Sequence, residues 1–168
     1  MQSDGGGDAV SCSATSRRRR PELSPTQRAM GLLTRREHSR RELARKLTSR
    51  GVEPDDAHAV IDKLAKAGWQ DDARFAELLV RSRANTGHGP VRIRAELVTH
   101  AIDPGVIAVA MEGYGGDWFH NARDLLQRRY PAALGSDRTT QRKFADFLLR
   151  RGFAIEQVMA ALRIDSHD

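Results

Sequence analysis

Three kinds of side-chain grouping in this 168-residue chain have the composition of a reactive site. Adjacent carboxylates occur at Asp55-Asp56 and Asp71-Asp72, and in a cleft such pairs can share a proton or hold a metal ion. Each pair, however, precedes apolar residues at helical spacing. Asp71-Asp72 leads into Phe75, Ala76, Leu78 and Leu79, and Asp55-Asp56, after Pro54, into Ala57, Val60, Ile61 and Leu64. A carboxylate in that place accepts from the exposed first-turn N–H groups and complements the helix dipole, so both pairs are read as helix starts. The six histidines, His38, His58, His88, His100, His120 and His167, contain no His-Glu-x-x-His and no two histidines four residues apart, the spacing that sets two imidazoles on one helical face for zinc. Gly87-His88-Gly89-Pro90 is a glycine-rich turn. It is too short for a phosphate-binding loop and lacks the Lys-Ser/Thr that would reach phosphate and magnesium, so it reads as the end of one helix and the start of another. No Gly-x-Ser-x-Gly elbow or spaced Cys/His pair offers a nucleophile with its base. The expectation is a protein that is not an enzyme and holds no cofactor and no metal.

The chemistry that remains is cationic. Lys and Arg total 28 against 22 Asp and Glu, a net charge of +6, which makes an acidic polymer or surface a reasonable partner. The charge is segregated along the chain. Residues 28–52 hold eight Lys/Arg and two Glu, residues 81–100 four Arg and one Glu, and residues 123–151 eight Lys/Arg and three Asp, while 53–77, 101–122 and 152–168 sum to −4, −3 and −2. A polar outer face is required of any amphipathic helix and Arg-rich faces are often only solvated. A regular threefold alternation of sign is less easily explained by that alone.

These charges are carried by a pattern that repeats. Leu43, Leu47, Gly51 and Val52 correspond to Ile93, Leu97, Ala101 and Ile102, and again to Phe144, Leu148, Gly152 and Phe153, at offsets of 50 and 51 residues. A further amphipathic helix follows each anchor, carrying Val60 and Ile61, then Val106 and Val109, then Val158 and Leu162; another precedes it. Internal repetition of this kind points to stacked units. The first helix opens at Ser24-Pro25-Thr26-Gln27 and the second at Ser39-Arg40-Arg41-Glu42; both read as capping boxes, and Gly51 as the left-handed residue closing the second. No strand-like alternation of useful length appears, and short helices are marginal alone in water, so each must bury its stripe on its neighbours. The expected fold is all-α: three tandem three-helix repeats, 24–68, 69–113 and 114–168, in an elongated, slightly curved array. In register, the first and second helices of the units would line up a basic stripe. The few aromatics fall mostly at apolar helix positions, which favours packing over base stacking, with Trp69 and Tyr114 at junctions.

Residues 1–23 carry Gly5-Gly6-Gly7, scattered Ser and Arg17–Arg20, and are read as a flexible basic arm. The one cysteine, Cys12, permits no intramolecular disulfide and fits a reducing compartment. The N-terminus shows neither a basic nor an apolar leader region, and no apolar run approaches the roughly 18 residues of a membrane span. A soluble, cytoplasmic protein with no membrane partner is expected.

Three stretches also carry a family resemblance: Ser39-Arg40-Arg41-Glu42-Leu43 with Lys46-Leu47 and Gly51; Gly68-Trp69-Gln70-Asp71-Asp72-Ala73-Arg74-Phe75-Ala76; and Gly87-His88-Gly89-Pro90-Val91-Arg92-Ile93 with Glu96-Leu97. From about Ala29 to Leu162 the chain resembles the bacterial RecX regulators of the RecA recombinase. It departs from them at Ala101-Ile102, where Gly-Ile is usual, and at Trp69, where Tyr is common; Ala101 argues against a left-handed cap in the second unit. The resemblance implies tandem three-helix units that bind RecA nucleoprotein filaments along the groove across neighbouring protomers. It further implies inhibition of ATP hydrolysis, strand exchange and co-protease activity, and hence a hand in recombination, DNA repair and the SOS response. On that footing the contact stripe is Arg40, Arg41, Arg45, Arg81, Arg83, Arg92, Arg94, Arg142, Lys143, Arg150 and Arg151. These residues would meet acidic RecA side chains or phosphates of single- or double-stranded DNA. Two other readings stay open: a free DNA-binding protein using one unit as a helix-turn-helix, and a scaffold that touches only protein. The sequence leaves the oligomeric state undecided.

Overall fold

The computed structural model describes residues 23–131 and 137–163, so Arg17–Arg20 and the rest of the expected arm up to residue 22 lie outside the described residues. Among the described residues there are nine helices and no strand: α1 (Pro25–Leu33), α2 (Arg40–Thr48), α3 (Pro54–Lys66), α4 (Asp72–Asn85), α5 (Pro90–Thr99), α6 (Pro104–Glu112), α7 (Trp118–Arg129), α8 (Arg138–Arg151) and α9 (Ile155–Leu162). None is long and apolar enough to cross a membrane.

Local chemistry fixes the starts. Pro stands in the first turn of α1, α3, α5 and α6, where its missing N–H costs nothing. Ser24 and Gln27 form the full capping box expected. Ser39 makes only half of one: its hydroxyl accepts from Glu42 N at 3.1 Å, but the Glu42 carboxylate turns instead to Arg36, His38 and Lys46. Asp71 accepts from the N–H groups of Ala73 and Arg74 and caps α4 as the sequence suggests.

The repeat periodicity corresponds to three separate cores. Leu43, Leu47, Val52, Ala57 and Ile61 close the first with Ala29 and Leu32 from α1. Phe75, Val80, Ile93, Leu97, Ile102 and Ile107 close the second. Ala122, Leu148, Phe153 and Val158 close the third, beside Leu126 and Phe144. Each fully buried Leu or Ile contributes about 1.5–3 kcal/mol; the buried clusters of the three units are separate, though Tyr114 and Trp118 at the start of the third unit pack against the second. The all-α tandem array expected from the sequence is therefore the observed one.

Two expectations change. Ala101, at the repeat position of Gly51 and Gly152, adopts the left-handed conformation after all, with φ +56° against +82° and +87° for the glycines. The turn that ends α5 demands that backbone whatever the side chain. Phe119 and Trp69 are about half exposed, at 49% and 53%, so neither belongs to a core.

Candidate interaction surface

The units meet at two joints of different construction, and the joints decide which basic side chains come together. The first joint, between the first and second units, is polar. Asp72 accepts from the backbone N–H of Arg40 at 3.0 Å and from Gln70 Nε2 at 2.8 Å, and Gln70 also donates to the His38 carbonyl. Ser39 Oγ lies 3.0 Å from His100 Nδ1 at the end of α5, and the His100 ring packs 4.8 Å from that of Phe75. Arg74 grips Glu37 with two nitrogens at 2.5 and 3.3 Å.

Beneath it, Glu42 is almost wholly buried, with Arg36 at 2.5 and 3.1 Å and Lys46 at 3.5 Å. Burial opposes its ionisation, but the hydrogen bonds from Arg36, with the close imidazole of His38 beside them, outweigh that and hold its pKa at about 2. His38 Nδ1 stands 3.0 Å from Glu42 Oε2 without hydrogen-bond alignment. Burial, ahead of the attraction of Glu42, sets the pKa of His38 below 6.5. Sequence reasoning missed this cluster. Its one visible signal was the four-residue spacing of Glu42 and Lys46 within α2, which places them on one helical face.

The second joint, between the second and third units, combines backbone hydrogen bonds with apolar contacts of Tyr114 and Trp118 on the second core. Gly89 N–H donates to the Arg151 carbonyl at 2.9 Å and Val91 N–H to that of Gly152 at 3.0 Å. The unsatisfied amides that open α5 are thus satisfied by the unsatisfied carbonyls that close α8, positive dipole end to negative. Glycine is obligatory here, since a Cβ on Gly89 would lie 2.3 Å from the Gly152 carbonyl carbon.

A groove of about 670 Å³ runs along the first joint, floored by Phe75, Leu78 and Leu79 and edged by Arg36, Arg45 and Arg83 with Glu37, Glu42 and Glu96. Arg45 and Arg83, from different units, therefore face one groove. Arg83 is held bidentately by Glu96 at 2.8 and 2.6 Å, which lowers the pKa of Glu96. Beyond it, the backbone seam sets Arg92 against Gly152, and the charges of Arg92 and Arg151 both reach His88. Arg40 and Arg41 edge a separate hollow in the first unit, and Arg40 pairs with Asp62. Arg81 pairs with Glu77 at 3.8 Å. Arg142 edges a hollow beside Met159 and Leu162. Arg41, Arg45, Arg92, Arg94, Arg142, Lys143 and Arg150 are exposed and make no ion pair with any described residue.

The family models described as RecX, first, second and third three-helix domains, match residues 26–64, 71–111 and 117–162. The chain is 58% identical over 155 residues to Regulatory protein RecX of Stenotrophomonas maltophilia strain K279a, covering 92% of this chain and 95% of that one. It is 50% identical over 151 residues to Regulatory protein RecX of Xanthomonas campestris pv. campestris strain B100, covering 90% and 93%. Its fold is similar to the crystal structure of RecX from Lactobacillus salivarius, with a TM-score of 0.68 at 27% identity over 83% of this chain and 92% of that one. The nine helices among the described residues, in three units of the same order, together with three successive domain models between residues 26 and 162 and relatives across nine-tenths of the length, place this chain in the RecX family of regulatory proteins.

Proposed function

We propose that this protein regulates RecA by lying along RecA nucleoprotein filaments in the cytoplasm and inhibiting ATP hydrolysis, strand exchange and co-protease activity, so limiting recombination, repair and the SOS response. The single observation that carries this reading is the gathering of basic side chains from successive units. Arg45 and Arg83 share the groove at the first joint, and Arg92 and Arg151 both act on His88 at the second. A surface of this kind fits acidic side chains or DNA phosphates presented at regular intervals, and engagement through several units at once multiplies weak contacts. The protein needs no chemistry of its own, since a binder shifts a filament between states by its differential affinity. The proposed contacts are Arg41, Arg45, Arg92, Arg94, Arg142, Lys143, Arg150 and Arg151. Arg40, Arg81 and Arg83, which hold carboxylates of this chain, lie among them and shape the surface.

The test is RecA ATPase on single-stranded DNA with increasing amounts of this protein. Half-inhibition by the Arg92→Glu/Arg94→Glu double variant is expected to need about ten-fold more protein, with unchanged helicity, because both side chains are exposed and charge reversal there penalises association rather than folding. Unchanged inhibition removes that pair from the interface. A steep fall of binding to bare DNA with salt, several units on a log–log plot, would instead favour a protein that acts directly on DNA.

A further inference from the structure

The turn Gly87-His88-Gly89-Pro90 serves so far only as the connection between α4 and α5. Its amides are closed to an anion: those of Gly89 and the following Val91 are donated to carbonyls of Arg151 and Gly152, and Pro90 has none. The same two bonds nevertheless gather side chains. They seat the end of α8 so closely on the start of α5 that a Cβ on Gly152 would stand 2.3 Å from the Cβ of Arg92. Arg92 and Arg151 thus leave adjoining backbone positions on two different units, next to His88. The Arg151 guanidinium rests over the Phe147 ring, 5.5 Å from its centre. Arg92 is exposed and His88 half-buried. His88 Nδ1 lies 3.3 Å from Thr86 Oγ1, and no described residue bonds Nε2.

The charges facing His88 are Arg92, Arg151 and Arg83 on one side of the balance and Glu96 on the other. Glu96 is already held by both Arg83 nitrogens. That leaves two guanidinium charges without a carboxylate beside an imidazole that burial and its cationic neighbours keep neutral.

We propose that His88, Arg92 and Arg151 form a clasp for one backbone phosphate of single-stranded nucleic acid at the seam between the second and third units. The proposal rests on the reading of this surface as one that meets a DNA-bearing filament, and it adds which residues take the phosphate. Donors carried by a turn and by helices of two units suit the several acceptor oxygens of a tetrahedral phosphodiester. A carboxylate needs only one planar fork, as Glu96 already has in Arg83. Burial comes first in keeping His88 neutral and the cationic neighbours add to it; a bound phosphate offsets those neighbours and favours the imidazolium, so occupancy raises the imidazole pKa and takes up a proton.

The experiment follows the histidine ring resonances by NMR while a short oligothymidylate is added, without RecA, in parallel with inorganic phosphate and with an oligoglutamate peptide. Oligothymidylate is expected to raise the pKa of His88 and leave His58, exposed on α3, where it was. Its affinity should rise at least about three-fold between roughly pH 7.5 and 5.5, a dependence that His88→Asn abolishes while Arg92→Ala weakens binding at both values. A His88 resonance indifferent to oligothymidylate overturns the clasp. An equal response to oligoglutamate overturns the phosphodiester assignment, and an equal response to inorganic phosphate overturns the polymer. Since RecA is absent, a positive titration alongside absent ATPase inhibition sinks the regulatory reading and leaves the clasp, whereas the reverse sinks only the clasp.

Discussion

Replacing Glu42 by Gln removes one charge from the first joint and nearly nothing from its shape. In the folded chain the carboxyl is held at about 2 from an ordinary 4.5, and at 1.36 kcal/mol per pKa unit the difference amounts to about 3 kcal/mol of stability near neutrality. The Glu42 side chain is only 7% exposed, so little of this is screened away; Arg36, 54% exposed, rehydrates when its partner is lost. A loss of about 2–3 kcal/mol is therefore expected for Glu42→Gln at neutral pH. The sign of the pH dependence follows from a depressed carboxylate. Its contribution is complete above the unfolded value and is lost as pH falls through the folded one. For the wild type it shrinks to about 1.4 kcal/mol near pH 3 and to under about 0.5 kcal/mol near pH 2. The two proteins should converge on acidification. Because each unit has its own core, the measurement must be local, and native-state hydrogen exchange at the amides of Leu43 and Leu47 in α2 reports on the first unit alone. A loss below about 1 kcal/mol at neutrality, or a difference between wild type and variant that persists unchanged to about pH 3, would show that the Arg36–Glu42 arrangement does not stabilise the first unit.

Three further perturbations probe other parts of the chain. Ala101→Gly relieves a left-handed backbone that costs an alanine about 1–2 kcal/mol, offset in part by the greater freedom of glycine when unfolded, so the second unit should gain about 0.5–1 kcal/mol in urea denaturation; a loss refutes the strain. Gly152→Ala forces a Cβ into Arg92 at a φ of +87° and should cost at least about 2 kcal/mol, with faster exchange of the Gly89 and Val91 amides; unchanged exchange there would mean the seam tolerates a side chain. His38, whose pKa is lowered chiefly by burial, binds a proton more readily unfolded than folded, so stability should fall as pH drops below about 6.5. His38→Gln should flatten that slope between about pH 7 and 5.5, and an unaltered slope assigns it to another group.

Much of the fold was legible because its determinants are local and periodic. The repetition of Leu43, Leu47, Gly51 and Val52 at offsets of 50 and 51 residues fixed the number of units, and Pro25, Ser24, Ser39 and Asp71 fixed where helices begin. The joints were not legible. Nothing in the one-dimensional pattern says that Asp72 reaches back to the amide of Arg40, or that Gly89 and Gly152 touch across more than sixty residues. The same limit applies to the basic stripe. Charge patterning named its proposed members but could not tell Arg83, which is committed to Glu96, from Arg92, whose ion-pairing capacity is unspent. Glu42 illustrates the point most plainly. Its place in Ser-x-x-Glu predicts a bond to the amide of Ser39, but Arg36 from the chain reversal before α2 and Lys46 one turn along the helix compete for it and win.

The two joints have unequal tolerance of their surroundings. The one at Gly89 and Gly152 is knitted from main-chain groups that neither titrate nor exchange partners with salt, so its angle is set once, on folding. The one between the first and second units includes the Arg74–Glu37 ion pair and so loosens in competing electrolyte. A change of reach along a long partner is therefore expected to begin between the first and second units, with the second and third turning together.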